Sequence, residues 1–208
     1  MAETYPISIP NNRISSIRLI ARNAVAVAAS PFTFAQQVYR HQGQGWEADI
    51  SIPPMKREDA EAWVSFLLRL RGQYGTFLLG DPNGATPRGS ASTTTGTPVV
   101  NGASQTGDEL NIDGLPVSVS GYLLAGDYIQ LGSGSTATLH KVLEDVDSNA
   151  SGEATLNLFP AVRTAPSDNA AVTVSNAKGN FRLNANETSW DINTASIYGI
   201  TFGAVEAL

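Results

Sequence analysis

The amino-acid sequence predicts a mainly β protein with a single α-helix, and three observations carry that expectation. The chain of 208 residues is 42% hydrophobic and 15% charged, enough apolar material to fold around a core. Its 19 glycines, with abundant Thr, Ser and Val, favour strands and turns over helices. Short alternating apolar runs recur along most of the chain, and helical spacing occurs in one stretch only. Together they predict a discontinuous β-sandwich domain, residues 1–82 plus 179–208, with a helix at about 57–71. A linker and a small β-barrel-like domain are expected to be inserted over 83–178.

The elements follow in order. Ile17–Ala21 and Ala24–Ala28 are two strand candidates. The second lies in NAVAVAAS (23–30), which follows Arg13, Arg18 and Arg22 and invites comparison with a secretion signal. Its uncharged run, Ala24–Ala29, is shorter than the ~7–15 residues of a signal core, so a strand of small residues is expected. No run approaches the ~20 apolar residues of a membrane span, and the chain is expected to stay in the cytoplasm of the cell that makes it. Residues 32–52 read as a hairpin. Phe32, Phe34 and Val38 share one face, HQGQG (41–45) makes the turn, and Trp46, Ala48, Ile50 and Ile52 alternate with Glu47, Asp49 and Ser51. Pro53-Pro54 is expected to end that strand, since proline cannot donate to a ladder.

Ala60, Trp63, Val64, Leu67 and Leu70 fall at helical spacing and make one apolar stripe. Glu58, Asp59 and Glu61 in the first turns, and Arg69 and Arg71 in the last, match the helix dipole. Gly72 suits the position after the helix, because it enters left-handed backbone without steric cost. Phe77–Leu79 is a short buried strand. From Gly84 to about Gly107 periodicity vanishes, as in a linker. Strands are expected again at Glu109–Ile112, Val117–Val119, Tyr122–Leu131, Thr136–Val146, Ala154–Phe159 and Ala171–Val174, with turns at 132–135 and 148–153. After NAKGN (176–180), Phe181 and Leu183, Trp190 and Ile192, and Tyr198, Ile200, Phe202 and Ala204 alternate again, as the missing strands of the first domain.

Each candidate for chemistry has a simpler reading beside it. GDPNG (80–84) lacks the lysine and the following helix of a phosphate loop, and its composition is that of a turn. Asp145, Asp147, Asn149 and Ser151 alternate like the start of a calcium loop. The sixth position is Ala150 rather than Gly and the twelfth is Leu156 rather than Glu, so a polar hairpin turn is expected. His41 and His140 are isolated from each other and from any nucleophile motif. Glu58, Asp59 and Glu61 read as helix charges rather than as an acid–base pair. Trp46, Trp63 and Trp190 could stack on sugars if exposed, but each lies on an apolar stripe. There is no cysteine to form disulfides or thiolate metal sites. The formal net charge of −6 argues against a nucleic-acid binder, which needs a basic footprint. No catalytic, cofactor-binding or metal residue is therefore assigned.

Four stretches carry a family resemblance: WEADISIPPMKREDAEAWVSFLLRLRGQYGTFLLGDP (46–82), AGDYIQLGSG (125–134), TLHKVLEDVDSNASGEATLNLFPAVR (138–163) and KGNFRLNANETSWDINTASIYGITFGAVEAL (178–208). In their order and phrasing the chain resembles the distal tail and tail-hub proteins of long, non-contractile-tailed bacteriophages. The resemblance implies a β-sandwich hub with one helix and an outward-facing barrel-like insert. It implies a ring, usually of six copies, between tail tube and tip or baseplate, a virion location, tail-tube and tail-tip proteins as partners, and neither cofactor nor reaction. The small side chains at Gly199, Thr201 and Gly203 are expected to let a neighbouring copy approach. The alternatives are a virion module that binds carbohydrate or receptor through Tyr122, Tyr128 or Phe159, and a cell-wall hydrolase built on converging carboxylates.

Overall fold

The structure, a computed structural model, describes residues 3–10 and 14–208, so Arg13 lies outside the described residues. In chain order the strands are β1 (Ser16–Ala29), β2 (Gln36–Lys56), β3 (Thr76–Leu79), β4 (Val99–Val100), β5 (Gly107–Asp113), β6 (Tyr128–Leu131), β7 (Thr138–Val142), β8 (Ala154–Val162), β9 (Val172–Thr173), β10 (Gly179–Leu183), β11 (Trp190–Ile192) and β12 (Ile197–Glu206). The α-helix, α1 (Arg57–Leu70), lies between β2 and β3. They form two antiparallel sheets. One runs β1-β2-β12-β10-β3 with β11 beside β12, and the other runs β4-β5-β8-β7-β6-β9. A bridge between Val99 and Ala171 brings the two ends of the second sheet together, so it is a nearly closed barrel. Among the described residues the architecture is mainly β with a single α-helix.

The first sheet joins residues from both ends of the chain: Ile50 of β2 faces Phe202 of β12, and Phe77 of β3 faces Phe181 of β10. Its apolar face follows from strand alternation. Trp46, Ala48, Ile50 and Ile52 are all buried, while Asp49 between them is exposed. The stripe of α1 lies on that face, with the Trp63 ring 6.2 Å from Phe202 and the Phe66 ring 5.4 Å from Phe77. Phe66 widens the buried face beyond the expected stripe. Arg71 takes left-handed backbone (φ +53) ahead of Gly72 (φ +67), and the Gly75 N–H returns to the Leu70 carbonyl. A Cβ on Gly72 would lie 2.9 Å from Asn186 Oδ1, so the turn after the helix also needs glycine for space.

Four expectations about local structure are corrected. The hairpin turn is Ser30–Ala35, not HQGQG. β1 is one continuous strand with a bulge between Asn23 and Val25, and β2 runs straight through residues 41–45. Those glycines serve close approach rather than turning: a Cβ on Gly43 would lie 3.1 Å from that of Ala24, beside the bulge, and one on Gly45 3.3 Å from Glu206 Oε2. Nor do Pro53 and Pro54 end the strand. They lie past the last β1 partner, Ser51, and beside a register shift against β12 between Tyr198 and Ile200, where the ladder does not need their N–H groups. In the second sheet, Val117–Val119 forms no strand, and the runs at 122–131 and 136–146 shrink to β6 and β7.

The fourth correction concerns 84–107, which is not a structureless linker. It contributes β4 and a short 3₁₀ turn at Ser90–Ser92, and it is fastened by the buried Asp127. Asp127 Oδ1 accepts the Arg88 N–H at 2.9 Å, and Oδ2 accepts those of Gly89 at 3.2 Å and Leu124 at 2.9 Å. One carboxylate so satisfies three backbone donors that burial would otherwise strand. Asp127→Ala should cost about 2 kcal/mol and expose the Arg88, Gly89 and Leu124 amides to hydrogen exchange. Wild-type protection at all three amides would show that the carboxylate does not hold the segment.

The core of the first sheet does not stop at the insert. Tyr128 and Leu139 are buried in the same apolar cluster as Trp46, and Phe159 packs against it. Trp46 Nε1–H donates to the Leu139 carbonyl at 2.9 Å, and its ring meets Phe159 edge-on at 5.0 Å.

Candidate functional site

Two neighbouring features stand apart from ordinary core and surface. One is a projecting hairpin arm, and the other is the polar junction at its base. The arm comprises the distal half of β1 and the proximal half of β2. All its residues from Ala21 to Ala29 and from Phe32 to Gly43 are exposed. At its tip the Ser30 N–H donates to the Ala35 carbonyl and the Phe34 N–H to the Ser30 carbonyl, both at 2.9 Å, which closes the loop. Phe34 is held there in left-handed backbone, φ +56, unusual for an aromatic residue.

At the base the arm meets the barrel. The Arg40 guanidinium forks onto Asp108 of β5 at 2.8 and 2.6 Å, and this hydrogen-bonded cation holds the Asp108 carboxyl below the ordinary carboxylate range. The Ala161 N–H donates to the Gln44 side chain at 2.8 Å, and Arg163 Nη1 donates to the Gln44 carbonyl. Arg163 also approaches Glu206 of β12 to 2.8 Å, and Glu206 accepts the Trp46 N–H at 3.3 Å. Glu206 is almost wholly buried, so its charge needs this partner. These contacts hold the junction of the two sheets and the root of the arm together.

Most of the sequence candidates sit elsewhere; His41 lies on the arm and Trp46 at its base. In GDPNG, the Asn83 N–H donates to the Asp81 carboxylate at 2.9 Å and the Gly84 N–H to the Asp81 carbonyl, a side-chain-capped turn. Around 145–153 the carboxylates face backbone donors instead of a common centre. Asp145 accepts the Ala125 N–H at 2.8 Å, Asp147 accepts that of Gly121 at 2.7 Å, and Asn149 accepts those of Ser151 and Glu153. Among the described residues no group of three or more His, Asp and Glu side chains is placed to hold a metal ion. Glu58 and Asp59 lie in the first helical turn, and Glu61 pairs with Arg57 at 3.0 Å.

His41 lies on the exposed arm, its ring 4.7 Å from that of Tyr39. His140 is buried on β7, far from solvent. The Pro160 carbonyl, 2.7 Å from Nδ1, can only accept, so Nδ1 carries the proton; burial lowers the pKa to about 4 and keeps the ring neutral near pH 7, which leaves Nε2 to accept from the Thr138 hydroxyl at 2.9 Å. Trp46 and Trp63 are buried and Trp190 packs against the same core. Of the three aromatics of the alternative carbohydrate- or receptor-binding reading, Tyr122 and Tyr128 are buried at 1% and 5% exposure and Phe159 packs against the core. Gly199, Thr201 and Gly203 do not form an open stripe: Gly199 faces Asp191 of β11, and the space above Gly203 is filled by the chain's own Asn184.

The arm was not legible as such in the alternation of Phe32, Phe34 and Val38. The signals that mark it are Ser30-Pro31, a turn-starting pair, and the absence of charge from Asn23 to Tyr39. Fold and site define a mainly β protein whose most conspicuous surface is a projecting hairpin without charge from Asn23 to Tyr39. No family model matches the chain, and no curated protein is significantly similar to it.

Proposed function

We propose that this chain is a structural subunit of a phage tail, one copy of a ring at the distal end that joins tail tube to tip and lets DNA pass. The observation that carries the reading is the coincidence of the four resembling stretches with the two sheets and the helix. Residues 46–82 and 178–208 supply most of the first sheet and α1, and 125–134 and 138–163 supply β6, β7 and β8. The combination of helix-bearing sheet and barrel-like insert agrees with what the resemblance implies for a hub protein. A closed ring leaves a central channel without free ends, and six copies is the number that the resemblance implies. The formal charge of −6 suits a channel through which DNA slides, because phosphates are repelled rather than bound by counterion release. No helix among the described residues is long and apolar enough to cross a membrane.

Electron cryo-microscopy of intact virions tests the proposal. The expected result is a ring of this chain on the tail axis at the distal end, with a channel not lined by Lys and Arg. Density for the chain away from the axis, or a basic channel, would overturn it.

A further inference from the structure

The turn at GDPNG (80–84) holds the chain's one Asp-Pro bond, Asp81-Pro82. It lies where the chain leaves β3 for the barrel. Asp-Pro bonds are intrinsically labile in acid, for two reasons. The proline nitrogen carries no N–H and leaves as a basic secondary amine once it takes up a proton. The aspartate carboxyl can attack its own main-chain carbonyl carbon and close a small ring, with the advantage of an intramolecular nucleophile.

The folded turn adds to that chemistry. The Asp81 carbonyl, at the bond to be broken, accepts the Gly84 N–H at 3.1 Å. That donor is aimed at the oxygen on which negative charge develops during the attack. Asp81 Oδ1 accepts the Asn83 N–H at 2.9 Å, which folds the carboxyl back along the backbone beside its own peptide. A Cβ on Gly84 would lie 2.7 Å from the Tyr128 ring and 3.2 Å from Asp81 Oδ2. The turn is thus wedged against a buried aromatic residue with space for glycine only. Asp81 is half-buried and Pro82 exposed, so water reaches the bond.

We propose that Asp81-Pro82 is a self-cleavage site, at which the folded turn hydrolyses its own peptide bond in mild acid. An Asp81 carboxylate oxygen bonds to the Asp81 carbonyl carbon, and the bond from that carbon to the Pro82 nitrogen breaks. The nitrogen takes its proton from solvent. Water then opens the cyclic anhydride and leaves Asp81 with two free carboxyl groups. One water is consumed, and nothing is oxidised or reduced. The products, residues 1–81 and 82–208, stay together. β2 remains paired with β12, β3 with β10, and Trp46 with the Leu139 carbonyl. The cut leaves the return at 176–180 as the single covalent link between the first sheet and the barrel. It does so whether or not the chain belongs to a tail.

Purified full-length protein held at pH 5 and 37 °C, and followed by mass spectrometry, should yield the two fragments. They should co-elute in buffer and separate in denaturant. Cleavage in the folded chain should be about 10-fold faster than in the chain unfolded by guanidinium at the same pH, the effect of one hydrogen bond made in the transition state. Asp81→Ala removes the nucleophile and Pro82→Ala the leaving group, and each should abolish the cut. Gly84→Ala keeps both but pushes the turn off Tyr128. With folding confirmed by circular dichroism, its rate should fall to that of the unfolded chain. No cleavage, cleavage at another bond, equal rates in folded and unfolded chains, an unchanged rate in Gly84→Ala, or a cut that survives Asp81→Ala would overturn the proposal.

Discussion

Trp63→Ala should destabilise the protein by ~3–5 kcal/mol, the range for removing a large aromatic side chain from a core. Trp63 has no solvent exposure and stands edge-on to Phe66 at 5.9 Å and tilted against Phe202 at 6.2 Å. The rings of Phe66, Phe77 and Phe202 meet one another in turn, so Trp63 caps a continuous aromatic cluster between α1 and the first sheet. Its deletion leaves a cavity that strands on one side and a helix on the other cannot readily close. The melting temperature should fall by roughly 10 °C, scaled for a chain of this size. Trp63→Phe should recover much of the loss. A Trp63→Ala protein that melts with the wild type would mean that α1 is not held by this face.

The second large effect is a loss of stability in mild acid, driven by His140. Burial lowers its pKa from 6.5 to about 4, nearby Arg163 adds to the depression, and the hydrogen bond to Pro160 opposes it. Below about pH 6.5 the unfolded chain therefore takes up a proton that the folded chain refuses until about pH 4. The stabilisation is fully present above pH 6.5 and is lost as the pH falls through that window. It amounts to about 3 kcal/mol, from the pKa difference at 1.36 kcal/mol per unit. Denaturant unfolding of wild type and His140→Gln at pH 7 and pH 4 separates this group from the carboxylates that also titrate in acid. The wild type should lose about 3 kcal/mol more than the variant. Equal losses would show that the ring is not held neutral.

The buried His140 and Asp127 illustrate what alternation cannot reveal. Along β7, His140 sits between Leu139 and Lys141 with nothing in its neighbourhood to announce burial. Its two partners come from its own strand and from Pro160 on β8, and only the pairing of β7 with β8 brings them within reach. Asp127 follows Gly126 in what reads as an ordinary turn, yet two of its three donors lie almost forty residues earlier. A polar side chain's role depends on donors that are remote in sequence, whereas an apolar side chain's face depends on its immediate spacing.

That difference divides what each level of description determined. The sequence alone determined the β class, the helix with its buried Trp63 stripe, and the alternating faces of 46–52 and 198–204. Those features arise from periods of 3.6 and 2 residues, which are local properties of the chain. Only the tertiary structure decided where the hairpin turns. HQGQG and SPFTFA are both able to bend, and the choice between them falls to the partners that β1 finds from Gln36 to Ser51 of β2, with Gly43 and Gly45 spent on close contacts inside the strand. It also decided that 84–107 is part of the second sheet's unit, because that stretch is ordered by hydrogen bonds to residues further along rather than by any apolar rhythm of its own. Exposure of the arm belongs to the same level: Val25, Val27, Val38, Phe32 and Phe34 have the composition of a core, and they face solvent because the single chain provides no surface long enough to cover them.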